Sequence, residues 1–278
     1  MQPFFETAAA HYIKPAWNVL NLGGEVAEDA LLGFEGVLRV PQELAKQAEY
    51  FQVSEPGLIG QLKDRRLPPL VPDEFEKRAA SKALTNGKDK RALLNMQKEV
   101  SVTVLEGVWE MQLHSLGWGN DDALLLAKAL GLCRCLAVLD VSSSFQARNH
   151  ITGDAAQLLA TAVLGVATLE DFSGIPIKAL REHGVVALDL TYRGIGVPGA
   201  LVLAALLGGN PLVDLNLGAN WLEAEGVAAI CGALKEGCHE IAVLNMGANL
   251  DLAGAKSLFA MLAASTSLTC LRSEATHA

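Results

Sequence analysis

The sequence predicts an α/β solenoid, a curved parallel sheet with outer helices, over residues 106–278, preceded by a mainly helical region over 1–105. Two observations carry that prediction. The segments 212–220 (LVDLNLGAN) and 241–249 (IAVLNMGAN) repeat each other 29 residues apart. Each is followed by a glycine, Gly226 or Gly254, and then by an apolar run with helical spacing. A strand and a helix recurring every ~20–29 residues cannot bury their apolar faces alone, but a stack of such units can.

In chain order, 25–33 and 41–51 carry apolar residues at helical spacing, and Pro41 suits a first helical position. The stretch 53–72 holds Pro56, Gly57, Pro68, Pro69 and Pro72, the composition of a linker or extended arm. Asp73 opens a charged helical stretch to Leu84, Asn86 and Gly87 stop it, and a further run covers Asp89 to about Glu99. Residues 100–105 (VSVTVL) alternate like a strand yet lie in a helical register, so both assignments stay open. Residues 1–105 are thus expected to form a helical arm and cap.

From Val108 onward the strands are expected to start at Val108, Leu136, Leu169, Val185, Leu212, Ile241 and Leu268. The fourth position of the template is Met111, Leu139, Phe172, Leu188, Leu215, Leu244 and Leu271, at spacings of 28, 33, 16, 27, 29 and 27. The spacing of 33 marks an insertion around Ser142–Ile151, and that of 16 marks a unit that has lost its helix. Helices are expected near 121–130, 154–164, 198–207, 223–235 and 252–264. At the ninth position, Asn220 and Asn249 should bond backbone groups that the turn leaves unpaired. The other units carry Leu116, Ser144, Ile177 and Arg193 there, so their turns should be less regular.

These residues resemble the ribonuclease-inhibitor-like class of leucine-rich repeats. The unit Leu212–Glu240 fits L-x-x-L-x-L-x-x-N-x-L-x-x-x-G followed by a helix, and 118–130 looks like the helical half of another. The stretches 174–181 and 194–200 are similar to blocks in protist repeat families of unassigned function. The resemblance covers about 106–278 and implies a binding surface. Roles in the wider class include inhibitor scaffolds, GTPase activation and innate sensing, but none of their functional motifs stands in this chain.

Composition bounds the remaining possibilities. With 51% hydrophobic and 19% charged residues the chain is not expected to be disordered. The longest apolar run, near Ala200–Leu207, is too short for a transmembrane segment, and the start lacks the basic region of a secretory signal. Five cysteines without paired spacing (Cys133, Cys135, Cys231, Cys238, Cys270) point to an intracellular, reducing compartment. The net charge of −9 is uneven: 1–105 hold 13 Lys and Arg against 14 Asp and Glu, whereas 106–278 hold 9 against 17. Such an acidic body would repel nucleic-acid phosphates. Residues 60–98 carry 10 basic against 5 acidic residues, read as a solvated helix face.

Three apparent chemical motifs dissolve on inspection. Gly194, Gly196 and Gly199 spell G-x-G-x-x-G after a strand, with Asp214 downstream, as a dinucleotide site requires. Yet Gly199, Gly226 and Gly254 recur at spacings of 27 and 28, and Asp214 lies inside the next strand. Ser142–Ser144, His150 and Asp154 lack a nucleophile elbow. Cys133 and Cys135 have no second ligand pair, and one of them is expected in the core. No catalytic residue, cofactor or metal is therefore assigned, and the chain is not expected to be an enzyme.

The candidate site is the concave strand face. Its third positions are Glu110, Val138, Asp171, Ala187, Asp214, Val243 and Cys270; its fifth are Gln112, Asp140, Ser173, Asp189, Asn216, Asn245 and Arg272. The polar members (Glu110, Gln112, Asp140, Asp171, Asp189, Asp214, Asn216 and Asn245) would form one largely acidic stripe able to dock a basic protein surface. The expected function is protein–protein interaction or scaffolding without catalysis. The alternatives are a stoichiometric accessory subunit of a larger assembly and a GTPase-activating regulator.

Overall fold

A computed structural model describes residues 68–80, 87–145, 147–237 and 240–272. The helices expected at 25–33 and 41–51 lie outside the described residues. The chain divides into two compact units, Met1–Leu105 and Glu106–Ala278.

In the first unit, residues 68–70 are buried without regular structure, and helix α1 follows over Pro72–Ala80. Pro72 thus starts a helix rather than ending a linker, because its fixed φ and missing N–H suit the first turn. Asp73 and Glu74 sit favourably at that positive helix end. Helix α2, Gly87–Gly107, extends well past Glu99 and absorbs residues 100–105. Helical spacing wins there, and Ser101 and Leu105 on one face are buried.

The second unit is α/β with parallel sheets and helices packed around them. Its elements are β1 (Glu110–Gln112), α3 (Asn120–Leu130), β2 (Val138–Asp140), α4 (Gly153–Gly165), β3 (Asp171–Phe172), α5 (Ile177–Arg181), β4 (Ala187–Asp189), α6 (Gly196–Leu207), β5 (Asp214–Asn216), α7 (Glu223–Gly237), β6 (Val243–Asn245), α8 (Leu252–Leu262) and β7 (Cys270–Arg272). Strands pair with their sequence neighbours in parallel, with fourth positions in register: Met111 against Leu139 and Phe172, and Leu188 against Leu215, Leu244 and Leu271.

The core is built in columns. Leu136, Leu169, Leu212 and Ile241 (first positions), Leu139, Phe172, Leu215 and Leu244 (fourth) and Leu113, Leu190, Leu217 and Met246 (sixth) are all buried. Helical residues at spacings of three and four meet them, among them Leu126, Leu159, Leu203, Ile230 and Leu258. The strand exits share a backbone device as well. At the eighth position Ser115, Tyr192, Ala219 and Ala248 adopt φ of 56°, 58°, 54° and 57°. That left-handed residue turns the chain out of the strand.

Two departures from regularity matter. The short unit has not lost its helix but kept five residues of it, α5. So short a helix cannot fill the outer layer, and α4 packs directly on α6. Arg181 at its end donates to the carbonyls of Leu164, Val166, Ala167 and Leu169, closing the C-terminal turn of α4. The sheet is also interrupted: β1-β2-β3 and β4-β5-β6-β7 are separate ladders. The cause lies in Phe172, whose N–H donates to the Ile175 carbonyl and whose carbonyl accepts from the Ile175 N–H. Ser173, at φ 53°, makes that tight turn, and the groups β4 would need are already used.

The insertion after β2 contains its own anchor. Asn149 Nδ2 donates to the carbonyls of Leu113 and Val141 (3.1 and 2.9 Å), and its Oδ1 accepts from the N–H groups of Leu116 and Trp118 (3.0 and 3.1 Å). The role expected at the ninth position therefore falls to Asn149 rather than Ser144. No helix among the described residues is long and apolar enough to cross a membrane.

Candidate functional site

Strand geometry puts third and fifth positions on the side of the sheet opposite the buried fourth position. The register aligns Glu110 with Val138 and Asp171, and Gln112 with Asp140. In the second ladder it aligns Ala187 with Asp214, Val243 and Cys270, and Asp189 with Asn216, Asn245 and Arg272. Because β3 and β4 do not pair, the expected stripe runs over two ladders rather than one. Ser173, a fifth-position member, is buried, and its Oγ accepts from the Val141 N–H at 3.0 Å.

On β2, β4, β5 and β6 the fifth-position side chain serves the turn that follows the strand. Asp140 Oδ1 accepts from the Ser142 N–H at 2.9 Å, and Asp189 from the N–H and Oγ of Thr191. Asn216 and Asn245 accept from the N–H groups of Gly218 and Gly247 at 3.2 and 2.9 Å. Each is an Asx turn, a side-chain oxygen bonding the backbone two residues on. Asn245 Nδ2 also donates to Asn216 Oδ1 at 2.9 Å, linking the row across strands. One acceptor of each residue is thus committed to the fold.

The third positions behave differently. Glu110 accepts from Gln112 Nε2 at 2.7 Å, both on one side of β1. Asp171 Oδ1 accepts from the Gly174 N–H at 2.9 Å. Asp214 is exposed, and its carboxylate has no hydrogen-bond or ion-pair partner among the described residues. Among the predicted residues it is the acid with the most open chemistry.

Arg193, a residue the stripe did not include, acts on both ladders. Its side chain lies against Gly174, and its charge acts on both Asp171 and Asp189. Burial pushes the Asp171 carboxyl up, as does the charge of Asp140, while the Gly174 N–H and Arg193 partly offset this. The Asp189 carboxyl is held down, first by the Thr191 hydroxyl, then by the Thr191 N–H, Asn216 and Arg193. The signs differ accordingly. A folded-state pKa raised above the unfolded value means the Asp171 charge costs stability at neutral pH, a cost that vanishes on acidification. A lowered one means Asp189 stabilises above its unfolded value and loses that contribution as pH falls through its folded value. Asp171→Asn is therefore expected to raise stability at pH 7 and Asp189→Asn to lower it. Both differences should shrink toward roughly pH 3 in urea unfolding, below the usual carboxylate range. Changes of equal sign at pH 7 would contradict this assignment.

The other motifs resolve into structure. At Gly194 (φ 65°) a Cβ would sit 2.1 Å from the Ser143 carbonyl oxygen, and at Gly199 it would sit 2.5 Å from Ile195 Cβ. At Gly226 and Gly254 it would meet Ala200 and Val227 of the preceding helix at 2.8 and 3.4 Å. At Gly226 the missing side chain thus lets α6 and α7 approach, whereas the Gly254 contact with Val227 is ordinary packing. Ser143 and Ser144 bond within their own loop. Cys133 is buried and Cys135 exposed, and burial raises the thiols of Cys133 and Cys231 to about 11, which keeps them protonated. Among the described residues, no three or more His, Cys, Asp or Glu are grouped to hold a metal ion.

No protein-family model matches the chain, and no curated protein matches it.

Proposed function

We propose that residues 106–278 form a leucine-rich-repeat solenoid of the ribonuclease-inhibitor-like kind, working without catalysis as a protein-binding scaffold. The observation that carries this reading is Asp214. It stands exposed on the second ladder, on the same side of the sheet as the exposed Asp189, above a column of buried leucines, and its carboxylate has no partner among the described residues. Exposed carboxylates on one side of a sheet suit a basic helix or loop, with charge setting the encounter rate more than the affinity. Glu110 and Gln112 would supply a separate contact on the first ladder.

The test is the association rate of a lysine-bearing helical peptide, measured from low to physiological salt. The wild-type rate is expected to fall steeply with salt, and Asp189→Asn with Asp214→Asn to flatten that slope and slow association about tenfold at low salt. An unchanged slope would remove the acidic patch from the account.

A second reading, a fixed accessory subunit, is favoured by the last unit. On α8, Leu252 and Phe259 are 78% and 70% exposed. A native mass well above the 29.4 kDa of one chain, with co-migrating chains in fixed ratio, would favour this reading.

A further inference from the structure

We propose that the insertion between β2 and α4 carries a second docking site, which receives one carboxylate side chain lying beside a bulky apolar residue of a partner protein. The loop is held in place. The Ser144 N–H donates to the Ala147 carbonyl at 3.0 Å, the Asn149 N–H to Ser143 Oγ at 3.0 Å, and the Ser143 N–H to the Gly194 carbonyl at 2.9 Å. Yet this braced loop presents Phe145 to solvent, 74% exposed. The Phe145 ring meets Trp221 edge-on, with centroids 5.1 Å apart and planes at 80°. Arg148 lies over the same indole, its Cζ 4.5 Å from the ring centroid.

The arginine decides the chemistry. Residues 106–278 hold 17 acidic against 9 basic residues, so an arginine there has many carboxylates to choose from. Arg181 is spent on backbone carbonyls and Arg193 acts on Asp171 and Asp189. Arg148 is exposed and makes no hydrogen bond or ion pair among the described residues; its contact is the Trp221 ring. The indole covers one side of the guanidinium, and the N–H donors, unpaired among the described residues, are open to a carboxylate, which an arginine can hold through two parallel bonds. Phe145 and Trp221 beside it offer apolar area at low entropic cost. A run of acids would be repelled by the surrounding negative charge, so the ligand is one carboxylate next to an apolar side chain.

This inference stands apart from the acidic-patch reading, since it concerns other residues and the opposite charge. The test uses the full chain with two capped peptides, Ac-Leu-Glu-Phe-NH2 and Ac-Leu-Gln-Phe-NH2. Binding is read from the Trp221 indole N–H resonance, assigned with Trp221→Phe. The Glu peptide should bind about tenfold more tightly than the Gln peptide, as expected for charge-assisted bonds. Arg148→Gln should bring the two level, Arg148→Lys should recover only part of the difference, and Phe145→Ala should weaken both alike. Equal affinities for the wild type overturn the proposal, as does a preference surviving Arg148→Gln or no indole shift at millimolar peptide. The Glu/Gln comparison on the wild type needs no variant to fold, and Asp214→Asn should leave it unchanged.

Discussion

Replacing Asn220 with Ala is expected to lower stability by about 3 kcal/mol, since several backbone groups are orphaned together. Asn220 is fully buried. Its Nδ2 donates to the carbonyls of Leu190, Leu217 and Gly218 at 2.8, 2.9 and 3.3 Å, and its Oδ1 accepts from the Ile195 N–H at 3.4 Å. Two of these partners belong to the preceding unit, where Arg193 occupies the ninth position, so Asn220 closes its neighbour's turn as well as its own. Asn249 does the same one unit on: its Oδ1 accepts from the Asn220 N–H at 2.8 Å and its Nδ2 donates to the Leu217 carbonyl at 2.7 Å. Asn149→Ala should cost less, because its site is only partly buried and water can replace the amide. Urea unfolding reads both, and a loss below about 1 kcal/mol for Asn220→Ala would show that these bonds are not what holds the turns.

Gly194→Ala is expected to cost about 2–5 kcal/mol, the sum of left-handed strain and a collision with backbone. The residue sits at φ 65°, and a Cβ would lie 2.1 Å from the Ser143 carbonyl oxygen and 3.0 Å from its carbon. Backbone cannot swing aside as a side-chain tip can, and this contact joins the insertion to the strand exit after β4. Gly174→Ala is the control: φ is 85° there, but the nearest atom, in the Arg193 side chain, lies at 3.4 Å. Its cost should stay near the ~1–2 kcal/mol of backbone strain alone. Equal losses at the two positions in thermal or urea unfolding would mean that the Ser143 contact carries no weight.

Much of the α/β pattern was legible because two periods announce it. The L-x-x-L-x-L frame placed seven strands, and apolar spacings of three and four placed the five long helices to within two residues of their observed ends. What escaped depended on contacts that no period encodes. The sheet interruption comes from a local turn at Ser173, whose left-handed φ is unusual for serine. Asn149 escaped because the insertion moves it away from Ser144, the residue that template counting selects. Residues 100–105 alternate by chance inside a helix.

The candidate site was legible as a row but not in its division of labour. Asp140, Asp189, Asn216 and Asn245 stand where the template puts them, yet each spends an oxygen on the N–H two residues on. An Asp or Asn at the end of β2, β4, β5 and β6 was the available sign of an Asx turn. Arg193 and the pairing of Arg148 with Trp221 left no sequence signal, because both join residues brought close only by the fold.

On the proposed function, the polar strand side, rather than the helical layer, meets a partner. Carboxyl footprinting by mass spectrometry tests it most directly, comparing the isolated chain with the chain in its native-size assembly. The account predicts that Asp214 and Asp189 lose reactivity in the assembly while Asp121 and Glu236, exposed on α3 and α7, keep theirs. Protection of Asp121 and Glu236 with Asp214 and Asp189 unchanged would contradict it and move the interface to the helices.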